Sequence, residues 1–494
     1  MEFDRDYYVI LGIPSDADEG AIKQAYRQLA RRYHPDVSDE EEATEQFREI
    51  QQAYEILSDP QHKEAFDHWR KQQGFDETRP LILRVTPSQP ALPSLGEEQI
   101  LYLMAEVAAS DQIESHRLPL NLCLVLDRST SMKGGRLQQV KEAARYIVDR
   151  MEPQDVLSLV VFSDRAQLVL VGEQNMDKTA ARLAINGIQS GGGTEILQGL
   201  KLGIEQMGRW QADETISHLI LLTDGQTYGD EDGCLEMAKR AAKEEISLTL
   251  MGIGSDWNDK LLDDMARLSG APDASIYIDS TSKIAEAFHE RIHGLGNIFA
   301  HNVTVTLNLA DRLAMKEAFR VSPQINRLYL TNGKLVLGSL EKERSQVVML
   351  ELAIPSLSPG THRLLQINVE GRVPAIGDLS ARTQHTVTMV FDLELGRRSP
   401  VPPDIVSAMG KLAIFKMQER VMEDIEQGEI EPAVSRLKTM ATRLLDIGEV
   451  DLARAALLEA GRLSQTGSLS STGRKKIRYG TRELTIVPKE VQDD

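Results

Sequence analysis

Three oxygen-bearing side chains stand close together near residue 130, directly after an apolar run. Asp127, Ser129 and Ser131 follow the run 122–126 at alternate positions, and Gly134-Gly135 and an amphipathic stretch come next. This order predicts a buried strand, a polar loop and then a helix. Carboxylate and hydroxyl oxygens suit a hard cation such as Mg²⁺, which takes oxygen ligands in octahedral geometry and keeps some of its waters. The loop is therefore a candidate metal site.

Two further polar segments are expected at the same place. Thr194 follows a run of three glycines and leads into a helix, and Asp224 follows the apolar run 219–222. Each has an ordinary explanation when taken alone, because threonine caps helices and Asp-Gly forms turns. In an open α/β sheet, however, the carboxyl ends of the strands share one edge, where ligands bind. Three oxygen-bearing loops at that edge favour a shared metal site over three unrelated caps and turns.

The elements that position these loops alternate between strand and helix from residue 120 to about residue 298. The pattern predicts a doubly wound parallel sheet with helices on both faces. One strand is expected to be antiparallel, because its connection from Phe162 is too short for a crossover. The predicted strands are 120–126, 156–162, 167–171 (the antiparallel one), 217–222, 247–252 and 276–278.

Helical periodicity fills residues 1–73. Apolar residues recur at helical spacing in 19–33 and in 41–57, which predicts an antiparallel hairpin. Pro35 ends the first helix, so that the tripeptide His34-Pro35-Asp36 displays an imidazole and a carboxylate on the connecting loop. A solvated helix face beside an ordinary turn is the alternative for each feature taken alone. The basic stripe that leads to this loop consists of Lys23, Arg27 and Arg31.

The remaining segments predict a second β domain and a helical end. Short alternating strands with Asn332-Gly333 and Pro359-Gly360 turns predict a β-sandwich over residues 299–396. Residues 74–119 combine a linker with strands, and the strand 100–108 is expected to complete the sandwich, which makes the α/β domain an insertion. Residues 397–464 predict a helical hairpin or bundle. Residues 465–494 predict a flexible tail, with an edge strand formed by 475–478 and 484–487 as the alternative.

Composition and charge narrow the function classes. The chain has 494 residues and a formal net charge of -19, which repels nucleic acid and anionic lipid. Its two cysteines, Cys123 and Cys234, are far apart and build no disulfide framework, which fits a reducing compartment. The first residues lack the basic and apolar regions of a signal peptide, and no apolar run reaches membrane length. We expect a cytoplasmic protein with no membrane span.

Residues 5–71 resemble the J domain of DnaJ-type co-chaperones. The likeness rests on Tyr7-Tyr8, Leu11-Gly12, His34-Pro35-Asp36 and Ser58-Asp59-Pro60, together with the basic helix. It implies docking on a DnaK-type heat-shock ATPase and stimulation of its ATP hydrolysis. Lys23, Arg27 and Arg31 would then supply steering and ion pairs, Asp36 would meet a cation on the ATPase, and His34 and Pro35 would shape the loop. The chain has no Gly/Phe-rich segment and no Cys-x-x-Cys zinc module, so another part must choose the client.

Residues 120–295 resemble the von Willebrand factor A domain with its metal-ion-dependent adhesion site. The likeness implies that Ser129 and Ser131 ligate the metal directly and that Thr194 ligates it directly or through water. Asp127 and Asp224 would act mostly through water and hydrogen bonds. The family leaves one coordination position for a carboxylate of the bound partner, and it often carries glycine where this chain has Thr130. Mg²⁺ is the expected cofactor, and Mn²⁺ is a second candidate.

These features together predict a non-enzymatic J-domain co-chaperone. It would recruit a DnaK-type ATPase and bind a carboxylate-presenting protein partner through Mg²⁺. Two alternatives stay open. In the first, the A domain serves a AAA-type ATPase assembly. In the second, Asp127 is the nucleophile of a metal-dependent phosphohydrolase. Aspartate-based phosphatases usually need a second acid two residues further on, and this chain has Ser129 there.

Overall fold

The computed structural model describes residues 7–11, 13, 17, 19–32, 41–72, 80–110, 113, 117–211, 215–227, 229–270, 275–331, 333–376, 379–392 and 400–485. The chain divides into two compact units, Met1–Pro80 and Leu81–Asp494. Each unit is described by itself.

The described part of the first unit is helical. Its helices are α1 (Tyr7–Leu11), α2 (Glu19–Arg32), α3 (Glu41–Ser58) and α4 (Pro60–Gln72). Tyr7 and Phe66 are buried at its centre with their rings 4.7 Å apart. Tyr26 stacks on Tyr54 at a ring distance of 4.1 Å. These aromatic contacts join the helices into one small core.

The residues predicted to contact the ATPase fall in two groups. Lys23 and Arg27 are exposed on α2, and Arg31 belongs to the same helix. The tripeptide His34-Pro35-Asp36 lies outside the described residues. The start of α4 follows from its sequence, because Asp59 Oδ1 accepts hydrogen bonds from the backbone amides of the next turn, at Gln61 and His62, both 2.9 Å long.

The second unit begins with strands β1 (Leu81–Pro87), β2 (Ala91–Pro93) and β3 (Gln99–Ala109), and the α/β domain follows. Its elements are β4 (Leu120–Asp127), α5 (Gly135–Arg150), β5 (Val156–Phe162), β6 (Ala166–Leu170), α6 (Lys178–Asn186), α7 (Ile196–Met207), β7 (Ile216–Thr223), α8 (Glu231–Lys243), β8 (Ser247–Ile253), α9 (Asp259–Leu268), β9 (Ser275–Ile278) and α10 (Ile284–Gly296). The strand order is β6-β5-β4-β7-β8-β9, and β6 alone among these described strands pairs antiparallel. The predicted doubly wound sheet and its antiparallel strand are confirmed.

Two sheets, antiparallel except for the β17–β2 pair, pack together, and the α/β domain is inserted in the chain between their strands. The later strands are β10 (Ile298–Leu309), β11 (Ala314–Ser322), β12 (Asn326–Leu328), β13 (Leu330–Thr331), β14 (Lys334–Glu341), β15 (Gln346–Ile354), β16 (Gly360–Val373) and β17 (Leu379–Asp392). The sheets are ordered β1-β3-β15-β11-β12 and β13-β14-β10-β16-β17-β2. Leu103 of β3 and Leu350 of β15 share one core with Val305 of β10 and Ile367 of β16. Because β3 precedes the α/β domain and β10 follows it, the sandwich is assembled from both sides of the insertion.

The chain ends in helices α11 (Pro403–Glu426), α12 (Ile430–Asp446), α13 (Val450–Thr466) and α14 (Ser471–Arg482). The first two connections use the same turn. Gly428 and Gly448 have positive φ angles of 81° and 85°, and the amides of Glu429 and Glu449 each donate a 2.8 Å hydrogen bond back to the preceding helix. Such left-handed positions favour glycine, which explains why these glycines punctuate the helical pattern.

The predicted flexible tail at 465–494 is wrong for its first half. Residues 471–482 form α14, in which Lys475 and Tyr479 are buried. The alternative edge strand is wrong as well, because residues 475–478 lie in α14 and Leu484 and Thr485 are not in a strand. Residues 486–494 lie outside the described part. The local sequence is basic and poor in apolar residues, so it carries no strong helical pattern; α14 is instead stabilised by contacts with residues about 200 positions earlier.

None of the helices described here combines the length and the apolar character needed to cross a membrane.

Candidate metal-binding site

The candidate site lies where β4 ends. Every residue of β4 is buried, and the strand pairs in parallel with β5 on one side and β7 on the other. A strand covered on both faces by helices reads as a continuous apolar run, which is why Leu122–Leu126 is so apolar. The first polar side chain after that run, Asp127, therefore lies at the carboxyl edge of the sheet.

Asp127 is a structural anchor rather than an exposed acid. Its side chain is completely buried, Oδ1 accepts a 2.7 Å hydrogen bond from the amide of Ser129, and Oδ2 accepts a 2.7 Å bond from Thr223 Oγ1. Burial raises the pKa of Asp127 to about 6. The hydrogen bonds from Ser129 and Thr223 favour the ionised form and offset only part of this effect. The carboxylate thus fixes the backbone that presents the next hydroxyl.

A chain of hydroxyl contacts links Asp127's loop to the end of β7. Ser129 Oγ lies 2.9 Å from Ser131 Oγ, and Ser131 Oγ donates a 2.7 Å hydrogen bond to Asp224 Oδ1. Ser129 and Asp224 are buried, whereas Ser131 is exposed. The cluster is therefore enclosed at its base and faces solvent on the Ser131 side.

The glycine-rich loop before α7 is fastened to the same edge. Thr130 donates to the carbonyl of Gly192 from both its amide and its hydroxyl, each at 3.0 Å, and the amide of Gly191 donates to the carbonyl of Arg128 at 2.8 Å. Thr194 then lies beside the residue after Asp224, since a Cβ built on Gly225 would be 2.9 Å from Thr194 Oγ1. The structure thus places the five predicted site residues at one edge of the sheet.

Two residues of this cluster were not identified from the sequence. Thr223 holds Asp127, and Arg136 places Nη1 2.5 Å from Asp224 Oδ2. Arg136 lies in the first turn of α5, where the helix dipole disfavours a cation. The sequence did contain a signal for Arg136. A basic residue in the first turn of a helix, nine residues after Asp127, indicates a specific acidic partner.

The donor set fits a hard divalent cation. It consists of oxygens alone, on two carboxylates and three hydroxyls, and Gly225 leaves space next to Thr194 that any larger residue would fill. In the described ranges no group of three or more His, Cys, Asp or Glu side chains is arranged to hold a metal. This hydroxyl-rich cluster is therefore the candidate metal site of the second unit.

The chain matches known domain families in three places. Residues 121–290 match the von Willebrand factor type A domain, residues 6–67 match the DnaJ domain, and residues 403–486 match the Sll0103-like, C-terminal alpha-helical domain. The fold and the site thus define a von Willebrand factor A domain protein that also carries a J domain. Both domain resemblances inferred from the sequence are confirmed, and so is the multidomain fold class.

A relative that matches most of the chain identifies the family. The chain is 30% identical over 384 residues to the uncharacterized protein sll0103 of Synechocystis sp. (strain ATCC 27184 / PCC 6803 / Kazusa), covering 76% of this chain and 90% of that protein. The chain belongs to the family of that protein. A structure described as a von Willebrand factor type A from Catenulispora acidiphila aligns with 83% of this chain and 99% of its own length, at a TM-score of 0.65 and 15% identity, which shows the shared fold.

The J domain has its own relatives. It is 57% identical over 74 residues to a curved DNA-binding protein of Pseudomonas putida (strain W619), and 53% identical over 74 residues to the chaperone protein DnaJ of Bacillus cytotoxicus (strain DSM 22905 / CIP 110041 / 391-98 / NVH 391-98). These matches cover 15% and 14% of this chain, and 23% and 20% of the two relatives. A DnaJ domain implies a DnaK-type partner, and von Willebrand factor A domains commonly bind divalent metals.

Proposed function

We propose that this chain is a non-enzymatic adaptor of a DnaK-type chaperone system. Its J domain recruits a DnaK-type ATPase and stimulates ATP hydrolysis, and its A domain binds a protein partner through a divalent metal, with Mg²⁺ as the expected ion and Mn²⁺ as a second candidate. The observation that carries the proposal is the group of side-chain oxygens at one edge of the A-domain sheet: Asp127, Ser129, Ser131, Thr194 and Asp224.

Each site residue has a distinct part in this proposal. Ser129 and Ser131 contact the metal directly, and Thr194 completes the protein ligands directly or through water. Asp127 holds the Ser129 amide, and Asp224 holds the Ser131 hydroxyl. A bound divalent ion supplies a Lewis-acidic centre that a further oxygen ligand can approach from the solvent side.

The charge of the site favours an anionic partner group. Asp127 and Asp224 bring two negative charges and Arg136 brings one positive charge. The side chains alone therefore leave one net negative charge, and a divalent ion makes the site net positive. A carboxylate of the partner is attracted only when the ion is present, so that capture becomes metal-dependent.

The J domain supplies the second contact. In a chain of net charge -19, the exposed Lys23 and Arg27 give α2 a local basic surface, which attracts an acidic ATPase surface. Arg31 extends the stripe, and the tripeptide His34-Pro35-Asp36 contacts the ATPase at its end. Because the J domain is tethered to the A domain, partner capture raises the local concentration of the J domain near that partner.

Several features support binding over other activities. Asp127 is completely buried and both its carboxylate oxygens accept hydrogen bonds, which argues against a nucleophile. We do not extend DNA binding to this chain, because that likeness is confined to the J domain and the net charge of -19 repels phosphate. The free, buried cysteines Cys123 and Cys234 fit the cytoplasm, where we place the protein.

The metal-dependent half is tested with Ser129→Ala. This change removes one direct ligand and should lower the affinity for Mg²⁺ or Mn²⁺, measured by titration calorimetry, about tenfold or more. It should weaken capture of the partner from cytosol to the same extent as a chelator does. Ser282→Ala is the matched control, because Ser282 is an exposed serine outside the site and contacts Ser280.

Capture that is insensitive to both chelator and Ser129→Ala would reject the metal-dependent half. Co-purification of a AAA-type ATPase in place of a DnaK-type ATPase would reject the chaperone assignment in favour of that assembly.

The co-chaperone half is tested with His34→Gln in the full chain. Stimulation of DnaK ATP hydrolysis in a steady-state assay should fall to the unstimulated rate, while metal affinity stays unchanged. His62→Gln, on the exposed start of α4, is the control for loss of a histidine from the same unit. Full stimulation by the His34→Gln protein would remove the co-chaperone function.

A further inference from the structure

Helix α14 is fastened to the A domain by facing rows of opposite charge. On α14, Arg474 and Arg478 bind the two carboxylate oxygens of Asp259 at 2.6 and 2.9 Å. Arg478 and Arg482 bind Asp263, one turn further along α9, at 2.7 and 2.8 Å. The side chain of Asp259 is 3% exposed and those of Asp263 and Arg482 are each 13% exposed. Charges that are this deeply buried are tolerated only when they are paired, so the two helices are specific partners.

Lys475 extends this contact to a loop of the A domain. It is completely buried, and its Nζ donates to the carbonyl oxygens of Ser255 and Trp257 at 2.5 and 2.7 Å and lies 4.3 Å from the centre of the Trp257 ring. Ser471 donates a second 2.5 Å hydrogen bond to the Ser255 carbonyl. Helix α14 therefore holds the backbone of residues 254–257, the loop between β8 and α9.

The same loop comes close to Arg136, a residue of the candidate metal site. Gly254 has a φ of 69°, and a Cβ built on it would lie 3.3 Å from Arg136 Nη2. The other guanidinium nitrogen, Nη1, binds Asp224 Oδ2, and Asp224 Oδ1 accepts from Ser131. A short series of neighbouring groups thus leads from α14 through the loop 254–257 and Arg136 to the site.

We infer that α14 positions the metal site through the loop 254–257. Lys475 holds the loop carbonyls, the loop packs beside the guanidinium of Arg136, and Arg136 fixes the orientation in which Asp224 meets Ser131. The inference rests on the proposed metal-binding function and adds a specific consequence. Because linkage is reciprocal, a metal bound at the site also strengthens the docking of α14, and through it the C-terminal helical domain senses occupancy.

The ion pairs between α14 and α9 provide an internal comparison. Arg478 contacts Asp259 and Asp263, both on α9, whereas Lys475 reaches the loop. If α14 were only a fastener for the C-terminal domain, breaking either contact would affect stability alone. If α14 positions the site, loss of the Lys475 contact must also change metal affinity.

The test uses the full chain with Lys475→Met, which keeps the length of the side chain and removes its donor. We expect the dissociation constant for Mn²⁺, measured by titration calorimetry well below the melting temperature, to rise about tenfold. Backbone hydrogen exchange of residues 254–257 should accelerate, and Mg²⁺ should protect α14 in the wild type more than in the variant. Lys476→Met is the control, because Lys476 is the exposed neighbour on the same helix.

A folded Lys475→Met protein with unchanged Mn²⁺ affinity would overturn the inference and leave the proposed function intact. A wild-type chain that binds neither Mn²⁺ nor Mg²⁺ would overturn the proposed function, and the inference with it.

Arg136→Gln tests the same route even if Lys475→Met does not fold. It removes a positive charge beside a cation, so a purely electrostatic role predicts tighter Mn²⁺ binding. A positioning role predicts weaker binding. Tighter binding would therefore also contradict the inference.

Discussion

Gly225 is the glycine that lies against the predicted ligand Thr194. A Cβ at this position would lie 2.9 Å from Thr194 Oγ1, which is closer than side-chain carbons normally approach a hydroxyl. The atom it meets belongs to a side chain that can rotate away, so the clash is relieved by moving the predicted ligand rather than the backbone. The position therefore separates metal affinity from stability.

We expect Gly225→Ala to weaken Mg²⁺ binding several-fold while the melting temperature of the chain stays close to that of the wild type. Titration calorimetry and thermal unfolding measure the two effects. Gly410→Ala is the control, because a Cβ there meets nothing within 4 Å and alanine is a better helix former than glycine. Unchanged affinity in Gly225→Ala would remove Thr194 from the ligand set.

The residues that the sequence pattern predicted share one property: they lie in short polar loops that come just after apolar runs or glycines. Asp127 and Asp224 end buried strands, and the parallel sheet brings them to one edge. Thr223 was not predicted because a hydroxyl at the last position of an apolar strand carries no signal of its own. Arg136 was not predicted because its partner, Asp224, lies 88 positions later. Thr130, a departure from glycine, turned out to hold the loop of Gly192.

At the scale of elements, the ion pairs of α14 predict a dependence on pH. Burial by itself raises the pKa of Asp263, but the guanidinium groups of Arg482 and Arg478 outweigh it and hold the pKa below the usual range. The folded protein therefore binds fewer protons at Asp263 than the unfolded chain does. The stabilisation is complete above the unfolded pKa, about 4, and is lost as the pH falls through the folded pKa.

Asp263→Asn should accordingly lower the melting temperature at neutral pH, and its difference from the wild type should shrink as the pH falls below about 4. Thermal unfolding at a series of pH values measures this difference. Asp264→Asn is the control, because Asp264 lies on the same helix and pairs with Arg267 in a far more exposed setting. A difference that stays constant down to low pH would show that the ion pairs do not stabilise α14.

Two elements were not visible in the local sequence, for related reasons. Strand β11 lies between β15 and β12, with Ala318 in the sandwich core and Phe319 and Val321 against the C-terminal helices. Its buried Arg320 interrupts the apolar pattern and donates to the carbonyl of Leu337. Helix α14 likewise depends on charged groups whose partners lie far away in sequence. Periodicity detects apolar burial and does not detect the burial of charged side chains.

At the scale of the whole molecule, the chain consists of two units with separate cores. The core of the first unit includes Tyr7, Phe66 and Ile50. The second unit contains the candidate metal site together with Arg136, the loop 254–257 and α14. The second unit should therefore fold and bind its partner without the first. The connection between the units then contributes by keeping the J domain close to whatever the A domain has captured.

Deletion of residues 1–80 is expected to leave Mg²⁺ affinity and partner capture unchanged and to abolish stimulation of a DnaK-type ATPase. When the two units are supplied as separate chains at micromolar concentration, stimulation on captured partner should remain well below that of the intact chain, because a tether provides an effective concentration in the millimolar range. The steady-state ATPase rate with immobilised partner measures the effect, and His34→Gln in the intact chain gives the background. Equal stimulation by the separate and the joined units would contradict an adaptor, since the tether would then contribute nothing.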